Sequence, residues 1–435
     1  MENKKMKVLI IGNGAREHAI ARAFRASPEN PTIFYCAPLS NPGLSAITER
    51  FFKTDLSDHQ SIIDFAQSEK INFAFIGPEA PLATGIVDAL QAQGISCVGP
   101  SKQLAEIETS KGFARDLMHE YHIDGSPRYQ RFQQYNAATM AAYLKTLKEQ
   151  YVIKDDGLCG GKGVKVSGFH LHSMDEALQY CAQINGPLVI EEKLVGPEFS
   201  LMSLSDGKTV RHFPVVQDHK RAFENDEGPN TGGMGSYTVE NHLLPFLSKE
   251  HVINAQHINE QTIHALQHQY KKSYVGILYG GFMLTQSGVK VIEFNARFGD
   301  PEAINLLSIL KTDFLSICQH TIAGTLNEID WQFENAATVV KYIVPNGYPD
   351  SPIKEKIVIN NIDDHLYFSG VSEQDGAFMM TGSRAIAVLG KGKTVFDAEK
   401  TAEKYAHWIS GPVFYRKDIG TEKLIQRYVQ MTHEY

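Results

Sequence analysis

After a short polar start, the chain runs Val8-Leu-Ile-Ile-Gly12-Asn-Gly14-Ala-Arg16-Glu-His18, an apolar run that passes through a glycine turn into a helical segment. The same alternation of apolar runs and helical segments continues along the next 80 residues or so. It predicts strands at 8–12, 32–36, 73–77 and 95–99 and helices at 16–26, 61–68 and 82–93. Alternation of this kind indicates a parallel, doubly wound α/β sheet up to about residue 100.

The pattern changes beyond residue 100. A helix is predicted at 110–121, and strands at 151–154 and 164–166 flank a glycine-rich loop. A strand, a glycine loop and a second strand are typical of a mobile flap. A helix at 174–184 and a strand at 188–191 follow.

The remaining chain favours sheets of another kind. Extended runs at 198–204 and 210–216 predict an antiparallel sheet with one buried face. After Asp330, short strands separated by turn residues lead to a helix at 398–408. We therefore expect a small α+β domain at the end.

Composition excludes several classes of function. With 435 residues, 43% of them hydrophobic, the chain can build a large core divided among two to four domains. Its apolar stretches are too short for a membrane helix, and a net charge of −8 without a basic block argues against nucleic acid. Five scattered cysteines predict neither disulfides nor a zinc site. A soluble, cytoplasmic protein is expected.

The glycine turn at Gly12 and Gly14 stands where a strand meets a helix, which suits a phosphate at a helix N-terminus. It departs from the dinucleotide fingerprint, because Glu17 occupies the third glycine position. A nicotinamide cofactor is therefore disfavoured. Two interpretations remain, a phosphate site and a tight turn that packs helix on strand.

The loop Lys154-Asp-Asp-Gly-Leu-Cys-Gly-Gly-Lys-Gly163 supplies two lysines and several free amides, which a triphosphate requires. It is not a Walker A loop, because Gly163 follows Lys162 where Ser or Thr would stand. On these residues alone, an ordinary flexible hairpin is an equal alternative.

Two further runs carry groups suited to binding. In Val291-Ile-Glu-Phe-Asn-Ala-Arg-Phe-Gly-Asp-Pro-Glu302, alternation predicts Glu293, Asn295 and Arg297 on one face of a strand. Two oxygen ligands suit Mg²⁺ and the arginine suits a phosphate or carboxylate, although a solvated strand face is the common alternative. Gln217-Asp-His-Lys-Arg221 precedes Gly228-Pro-Asn-Thr-Gly-Gly-Met-Gly235, which is typical of a binding loop, while His219 itself stays ambiguous.

Taken together, these runs resemble the glycinamide ribonucleotide synthetase family of the ATP-grasp superfamily, and the resemblance covers nearly the whole chain. It also includes Gly77-Pro-Glu-Ala-Pro-Leu82, Gly99-Pro-Ser101 and Tyr415-Arg-Lys-Asp-Ile-Gly420. The resemblance implies a Rossmann-like domain at 1–105, an ATP-grasp domain at 106–330 with a lid at about 123–190, and an α+β domain at 331–435.

The resemblance also implies roles for individual residues. Those expected to bind ATP are Lys111, Lys154, Gly160, Gly161, Lys162, Gly163, Glu191, Glu192, Leu194 and Glu198. Those expected to bind the other substrates are Gly12, Asn13, Gly14, Ala15, Arg16, Glu79, Asp218, Asn230, Thr231, Gly232, Gly233, Arg297, Gly299, Asp300, Pro301 and Glu302. Glu293 and Asn295 would carry Mg²⁺ or Mn²⁺, and Arg297, Lys162 and Asp218 would serve catalysis.

The implied activity is that of an ATP-dependent carboxylate–amine ligase of purine synthesis. Glycine would be activated as an acyl phosphate and captured by the amine of 5-phosphoribosylamine. The expected partners are these small molecules and ATP, with no nucleic acid or membrane, and the chain would be a monomer or weak homodimer. The alternatives are another ATP-grasp ligase or carboxylase of the purine pathway, and a nucleotide-binding regulator without turnover.

Overall fold

The computed structural model describes residues 5–158 and 163–433. Its first part is a five-stranded parallel sheet in the order β3-β2-β1-β4-β5, which confirms the predicted doubly wound sheet. The strands are β1 (Lys7–Ile11), β2 (Thr32–Ala37), β3 (Arg50–Lys53), β4 (Phe73–Ile76) and β5 (Ser96–Val98). The helices are α1 (Ala15–Arg25), α2 (Pro42–Ser45), α3 (His59–Glu69), α4 (Glu79–Thr84) and α5 (Ile86–Ala92).

Two details of this sheet differ from the prediction. The single helix expected at 82–93 is two helices, because Gly85 adopts a left-handed φ of +95° that ends α4. Strand β3 was not predicted. It lies at the sheet edge, and its Phe51 and Phe52 are both half-buried, so it lacks the buried-exposed alternation of a one-sided strand.

The next part has a hydrophobic core of its own, which includes Met140, Leu144, Ile153 and Ile190. Its antiparallel sheet has the order β6-β9-β7-β8. The elements from residue 106 are α6 (Glu106–Thr109), α7 (Lys111–Glu120), β6 (Tyr129–Phe132), α8 (Ala137–Thr146), β7 (Tyr151–Asp155), β8 (Val164–Val166), α9 (Met174–Gln183) and β9 (Leu188–Glu192).

A second antiparallel sheet has the order β11-β10-β16-β17. The elements of residues 198–323, of which four are strands of this sheet, are β10 (Glu198–Asp206), β11 (Val210–His212), β12 (Gln217–Asp218), β13 (Arg221–Phe223), β14 (Glu227–Asn230), β15 (Gly235–Thr238), α10 (Lys249–Tyr270), β16 (Val275–Thr285), β17 (Gly288–Asn295), α11 (Glu302–Ser308) and α12 (Phe314–Ala323). The expectation of one buried face was wrong. All residues of β10 after Glu198 are buried, because α10 and α12 both pack against this strand.

A six-stranded sheet joins distant parts of the chain in the order β12-β15-β18-β23-β20, with β25 also paired to β18, so strands before residue 330 pair with strands after it. The remaining elements are β18 (Ala337–Pro345), β19 (Lys356–Ile359), β20 (Leu366–Phe368), β21 (Val371–Gln374), β22 (Ala377–Met380), β23 (Ile386–Gly392), α13 (Val395–Ala406), β24 (Ile409–Ser410), β25 (Val413–Phe414) and α14 (Glu422–His433). Within the described ranges no helix has the length and apolarity needed to cross a membrane.

Candidate active site

The glycine turn between β1 and α1 is closed by an acid from the helix itself. The Gly14 amide, at the N-cap of α1, donates to Glu17 Oε2 at 2.5 Å, and Arg16 Nε donates to Glu17 Oε1 at 2.6 Å. A Cβ at Gly77 would collide with the same carboxylate. Because Glu17 caps the helix where a dinucleotide loop keeps a glycine, the departure from that fingerprint has a structural cause.

Arg16 connects this turn to the segment after β17. Its Nη1 donates to the Phe298 carbonyl at 3.1 Å, although the two residues are 282 positions apart. Strand β17 ends at Asn295, so Arg297 follows the strand and does not lie on its face as expected. The two predicted substrate residues, Arg16 and Arg297, therefore come from different parts of the chain and meet beside Phe298.

Arg297 is held between two carboxylates. Its Nη2 lies 3.0 Å from Glu108 Oε1 and its Nε 3.5 Å from Glu79 Oε2. Burial alone would lower the pKa of Arg297, but Glu108 and Glu79 outweigh it and raise the pKa. Burial raises the pKa of Glu108 against the opposing charge of Arg297. The guanidinium is therefore fixed as a cation, which suits an anionic substrate group.

Glu293 and Asn295 lie on one face of β17, with the buried Phe294 between them on the other. Lys220 Nζ lies 3.3 Å from Glu293 Oε1 and 4.0 Å from Glu198 Oε2. Lys220 is the largest cause that lowers the pKa of Glu293 to about 2. Burial would lower the pKa of Lys220, but Glu293 and Asp218 outweigh it and raise the pKa well above its usual range. The pair is ionised.

Within the described residues no three His, Cys, Asp or Glu side chains are arranged as a metal-ion site. Glu293 with the Asn295 amide oxygen would make a two-ligand site. Mg²⁺ commonly keeps waters and phosphate oxygens for its other positions, so the two residues fit such an ion. Their fit is supported by the ionised Glu293, which already holds the ammonium of Lys220.

On the nucleotide side, a buried triad joins Lys154, Glu191 and Arg115. Lys154 Nζ lies 2.7 Å from Glu191 Oε2 and donates to the Ile292 carbonyl at 3.0 Å, while Arg115 Nε donates to Glu191 Oε1 at 2.7 Å. Burial would raise the pKa of Glu191, but Arg115 and Lys154 lower it to about 2. The Glu191 side chain thus faces into the protein and supports Lys154, whereas Glu192 pairs with the exposed Arg128.

Some of the other predicted nucleotide residues are among those that the structure describes. Lys111 Nζ donates to the Gly157 carbonyl at 2.7 Å, which ties the start of α7 to the flap. Leu194 is half-buried just after β9, and Glu198 is half-buried at the start of β10. Gly160, Gly161 and Lys162 lie outside the described residues, and Gly163, the next residue of the chain, is buried. The described residues therefore place Lys111 and Lys154 at the base of the flap.

The loop after β14 is held from the C-terminal part of the chain. Arg384 Nη1 donates to the carbonyls of Gly232, Gly233 and Asp300 at 2.6, 3.0 and 2.8 Å. Thr231 Oγ1 donates to the Lys220 carbonyl at 2.8 Å. Arg384 therefore fixes two predicted substrate segments, the one at Gly232 and Gly233 and the one at Asp300, relative to each other.

Glu302, at the start of α11, is buried behind this loop. A Cβ at Gly299 would lie 2.5 Å from Glu302 Oε2, so the tight approach depends on that glycine. Burial, followed by the charge of Asp218, raises the pKa of Glu302 to about 7. Two predicted substrate residues, Asp218 and Glu302, are therefore close enough for the charge of one to affect the pKa of the other.

The sequence missed three residues that organise this region. Lys220 belongs to the run from Gln217 to Arg221, but only the structure shows its contact with Glu293. Glu108 and Arg384 lie in stretches without a glycine pattern or a charge run, and no local signal points to them. His219, whose role the sequence left ambiguous, is buried, and its Nδ1 lies 3.6 Å from Asp226 Oδ1.

Comparison with known proteins gives three matches in chain order. The phosphoribosylglycinamide synthetase N domain matches residues 6–108, its ATP-grasp (A) domain matches 109–303 and its C domain matches 338–422. Phosphoribosylamine–glycine ligase of Methanosarcina acetivorans is 44% identical over 434 residues, covering 99% of this chain and 98% of that protein.

Solved structures agree with these matches. Phosphoribosylamine–glycine ligase from Thermotoga maritima has a TM-score of 0.78 at 27% identity, covering 95% of this chain and 100% of that one. N5-carboxyaminoimidazole synthase from Aspergillus clavatus, in complex with ADP and 5-aminoimidazole ribonucleotide, has a TM-score of 0.65 at 12% identity, over 93% of this chain and 98% of that one. The latter likeness is one of fold alone. The predicted multidomain ATP-grasp architecture is confirmed.

Proposed function

Because the chain belongs to the phosphoribosylglycinamide synthetase family, we propose that the site described above joins glycine to 5-phospho-D-ribosylamine while ATP is converted to ADP and phosphate. The chain is accordingly an ATP-dependent ligase of purine synthesis. The observation that carries the assignment of the site is the convergence, around the end of β17, of Glu293, Asn295 and Arg297 with Lys154.

The lysines are suited to hold the phosphates of ATP. An ammonium group has three N–H donors, and Lys154 uses two of them on Glu191 and Ile292. Lys111 uses one on Gly157. The remaining donors, with Gly160 to Gly163 and Lys162 of the flap, would bind phosphate oxygens, while Glu192, Leu194 and Glu198 would line the nucleoside.

A divalent cation at Glu293 and Asn295, Mg²⁺ or Mn²⁺, would screen the negative charge of the phosphates. The residues of the chain would position the reactants. Arg297, kept charged by Glu79 and Glu108, would hold an anionic group of glycine or of the phosphorylated amine. Asp218, Asp300, Pro301 and Glu302 would complete that region with Gly12 to Arg16 and Asn230 to Gly233.

The reaction would proceed in two transfers. A carboxylate oxygen of glycine attacks the γ-phosphorus and ADP leaves, which gives an acyl phosphate. The amine of 5-phosphoribosylamine then attacks the acyl carbon, phosphate leaves and the nitrogen loses a proton. No side-chain nucleophile takes part, so the contribution of the protein is positioning and charge stabilisation.

The test is ADP formation by the purified protein with ATP and Mg²⁺, adding glycine and freshly generated 5-phosphoribosylamine singly and together. We expect ADP and glycinamide ribonucleotide only when both are present. ADP release with bicarbonate or formate in place of glycine would instead favour another ATP-grasp ligase or carboxylase. ATP binding without release under all these conditions would favour a regulator.

A further inference from the structure

Glu108 is a buried carboxylate that contacts three consecutive residues of the proposed site. Its Oε2 accepts from the Ala296 amide at 2.7 Å, and its Oε1 lies 3.0 Å from Arg297 Nη2. With the Asn295 amide nitrogen turned toward it, Oε1 also accepts from that nitrogen at 3.0 Å. The side chain of Glu108 is 4% exposed, so these contacts are made away from water.

An ionised carboxylate can only accept hydrogen bonds, whereas an amide has a donating and an accepting end. Glu108 therefore favours the amide orientation in which the nitrogen of Asn295 faces inward, where that nitrogen also lies 3.3 Å from the Phe294 carbonyl as a second, longer acceptor. The carbonyl oxygen does not take part in that bond. A hard cation binds oxygen and not an amide nitrogen, so this orientation is the one that suits a metal ligand.

The same carboxylate restrains Arg297, because its Oε1 is the nearer of the two acidic oxygens that pair with this guanidinium. The Ala296 amide lies between the two side chains and is bonded to the other oxygen. One side chain from α6 thus fixes the backbone between a proposed metal ligand and a proposed anion-binding residue, 188 positions further along the chain.

We propose that Glu108 is a positioning residue that directs the Asn295 amide oxygen toward the bound cation and holds Arg297 in line for substrate. This inference rests on the proposed function, because it gives Glu108 a task in that same site. Glu108 would not touch substrate or metal. Its effect would pass through Asn295 and Arg297.

The test compares Glu108→Gln, Asn295→Asp and the double variant, with Glu106→Gln as the matched control. Glu106 lies on the same helix and accepts from Tyr270, outside the site. The measured quantity is the factor by which Mn²⁺ tightens ADP binding, determined by isothermal titration calorimetry with and without Mn²⁺. Thermal unfolding of each variant checks that it is folded.

In Glu108→Gln, the new amide nitrogen competes with the donors of Asn295 and Arg297. We expect the Mn²⁺ enhancement to fall by about ten-fold, the usual size of a second-layer effect on metal affinity. Metal-free ADP binding should stay at the wild-type value, and Glu106→Gln should match wild type in both. A folded Glu108→Gln protein with the full Mn²⁺ enhancement would overturn the proposal.

The double variant separates positioning from simple structural support. Asn295→Asp alone places a second carboxylate against Glu108. In the double variant, the introduced aspartate can accept from the introduced glutamine amide and still offer an oxygen to Mn²⁺. Glu108→Gln should therefore weaken the Mn²⁺ enhancement in the wild-type background and strengthen it in the Asn295→Asp background. Weakening in the Asn295→Asp background would refute the orientation role, even if the single Glu108→Gln variant did not fold.

Failure of the proposed function has a different signature. Wild-type protein that binds ADP with Mn²⁺ but forms no glycinamide ribonucleotide would reject the substrate assignment. The Glu108 comparison uses only ADP and Mn²⁺, so its outcome would still stand.

Discussion

Lys220 Nζ lies 3.3 Å from Glu293 Oε1, on a side chain that we propose as a metal ligand. The Lys220 ammonium is also 4.0 Å from Glu198, so it pairs with two carboxylates at the site. Its charge compensates Glu293 while no metal is bound. A divalent cation would then share the carboxylate with an existing ion pair, and loss of Glu293 would leave Lys220 with another acidic neighbour.

Replacing Glu293 by alanine should abolish most metal-dependent turnover without unfolding the protein. We expect a loss of about 10²-fold or more, the usual size when a charge-stabilising group is removed from an active site. Stability should change little, because the side chain is 37% exposed and Lys220 retains Glu198. ADP release and the melting temperature measure the two effects.

Lys290→Ala, on the same strand, is the control and should behave as wild type in both measurements. Full turnover in Glu293→Ala would remove Glu293 from the metal site.

Elements that are marked by a local pattern of residues could be predicted from the sequence. Strand β8 lies at Val164–Val166 as predicted, because turn residues and β-branched residues mark it locally. The two-sided burial of β10 could not be predicted from its own residues, since it depends partly on α12, more than 100 residues later. Whether a strand has one buried face or two is decided by what folds onto it.

The site shows the same division. Glu293 and Asn295 could be predicted from alternation along one strand, and they do share a face. Glu108 and Arg384 act through contacts with residues 188 and 152 positions away in the chain, respectively. The residue pattern of either segment does not indicate such a distant contact, so the roles of Glu108 and Arg384 are visible only in the folded chain.

Glu302→Gln should stabilise the protein, and more so at alkaline pH. The pKa of Glu302 is raised to about 7 by burial and Asp218, so the folded state favours its protonated form. The resulting stability is fully present below the unfolded pKa of about 4.3 and is lost as pH rises through about 7. The variant should therefore be more stable than wild type at pH 8 and differ little from it at pH 4.

Melting temperatures of both proteins between pH 4 and pH 9 measure this difference. The exposed Glu328, changed to Gln, is the control and should follow wild type at every pH. A Glu302→Gln advantage that is constant with pH would show that its cause is packing and not ionisation.

Phe169→Ala should weaken the use of ATP without destabilising the core. Phe169 lies in the turn after β8, the strand that follows the flap in the chain, and the Arg221 guanidinium stacks 3.9 Å from its ring centroid. An exposed contact of this kind contributes about 0.5–1 kcal/mol, which corresponds to a two- to five-fold rise in the KM for ATP. Steady-state kinetics at saturating glycine and 5-phosphoribosylamine would measure it.

Phe396→Ala removes an exposed phenylalanine of α13, and it serves as the matched control. An equal rise in KM for both variants would mean that the stacking on Arg221 has no part in ATP use.

Asp226→Asn should impair the binding of the amine substrate and glycine more than that of ATP. Asp226 accepts from Arg416 and Arg427 at 2.7 Å each and from Tyr428 at 2.5 Å. These three donors come from the segment after β25 and from α14. Burial would raise the pKa of Asp226, but the neighbouring His219, 3.6 Å away, and the charge of Arg416 outweigh it and lower the pKa.

Asp226 stands between β13 and β14, and β14 runs into Asn230 and the loop that follows. An uncharged Asn would leave the buried Arg416 with Asp418 as its one carboxylate partner, so the link between the hairpin and the C-terminal helix would weaken. We expect the KM values for glycine and 5-phosphoribosylamine to rise together, with the KM for ATP nearly unchanged and the free energy of unfolding reduced by about 3 kcal/mol.

Asp375→Asn, at the exposed tip of the β21–β22 hairpin, is the control and should have none of these effects. Equal changes in all three KM values would indicate general loosening of the fold and not a specific link between α14 and the substrate loop.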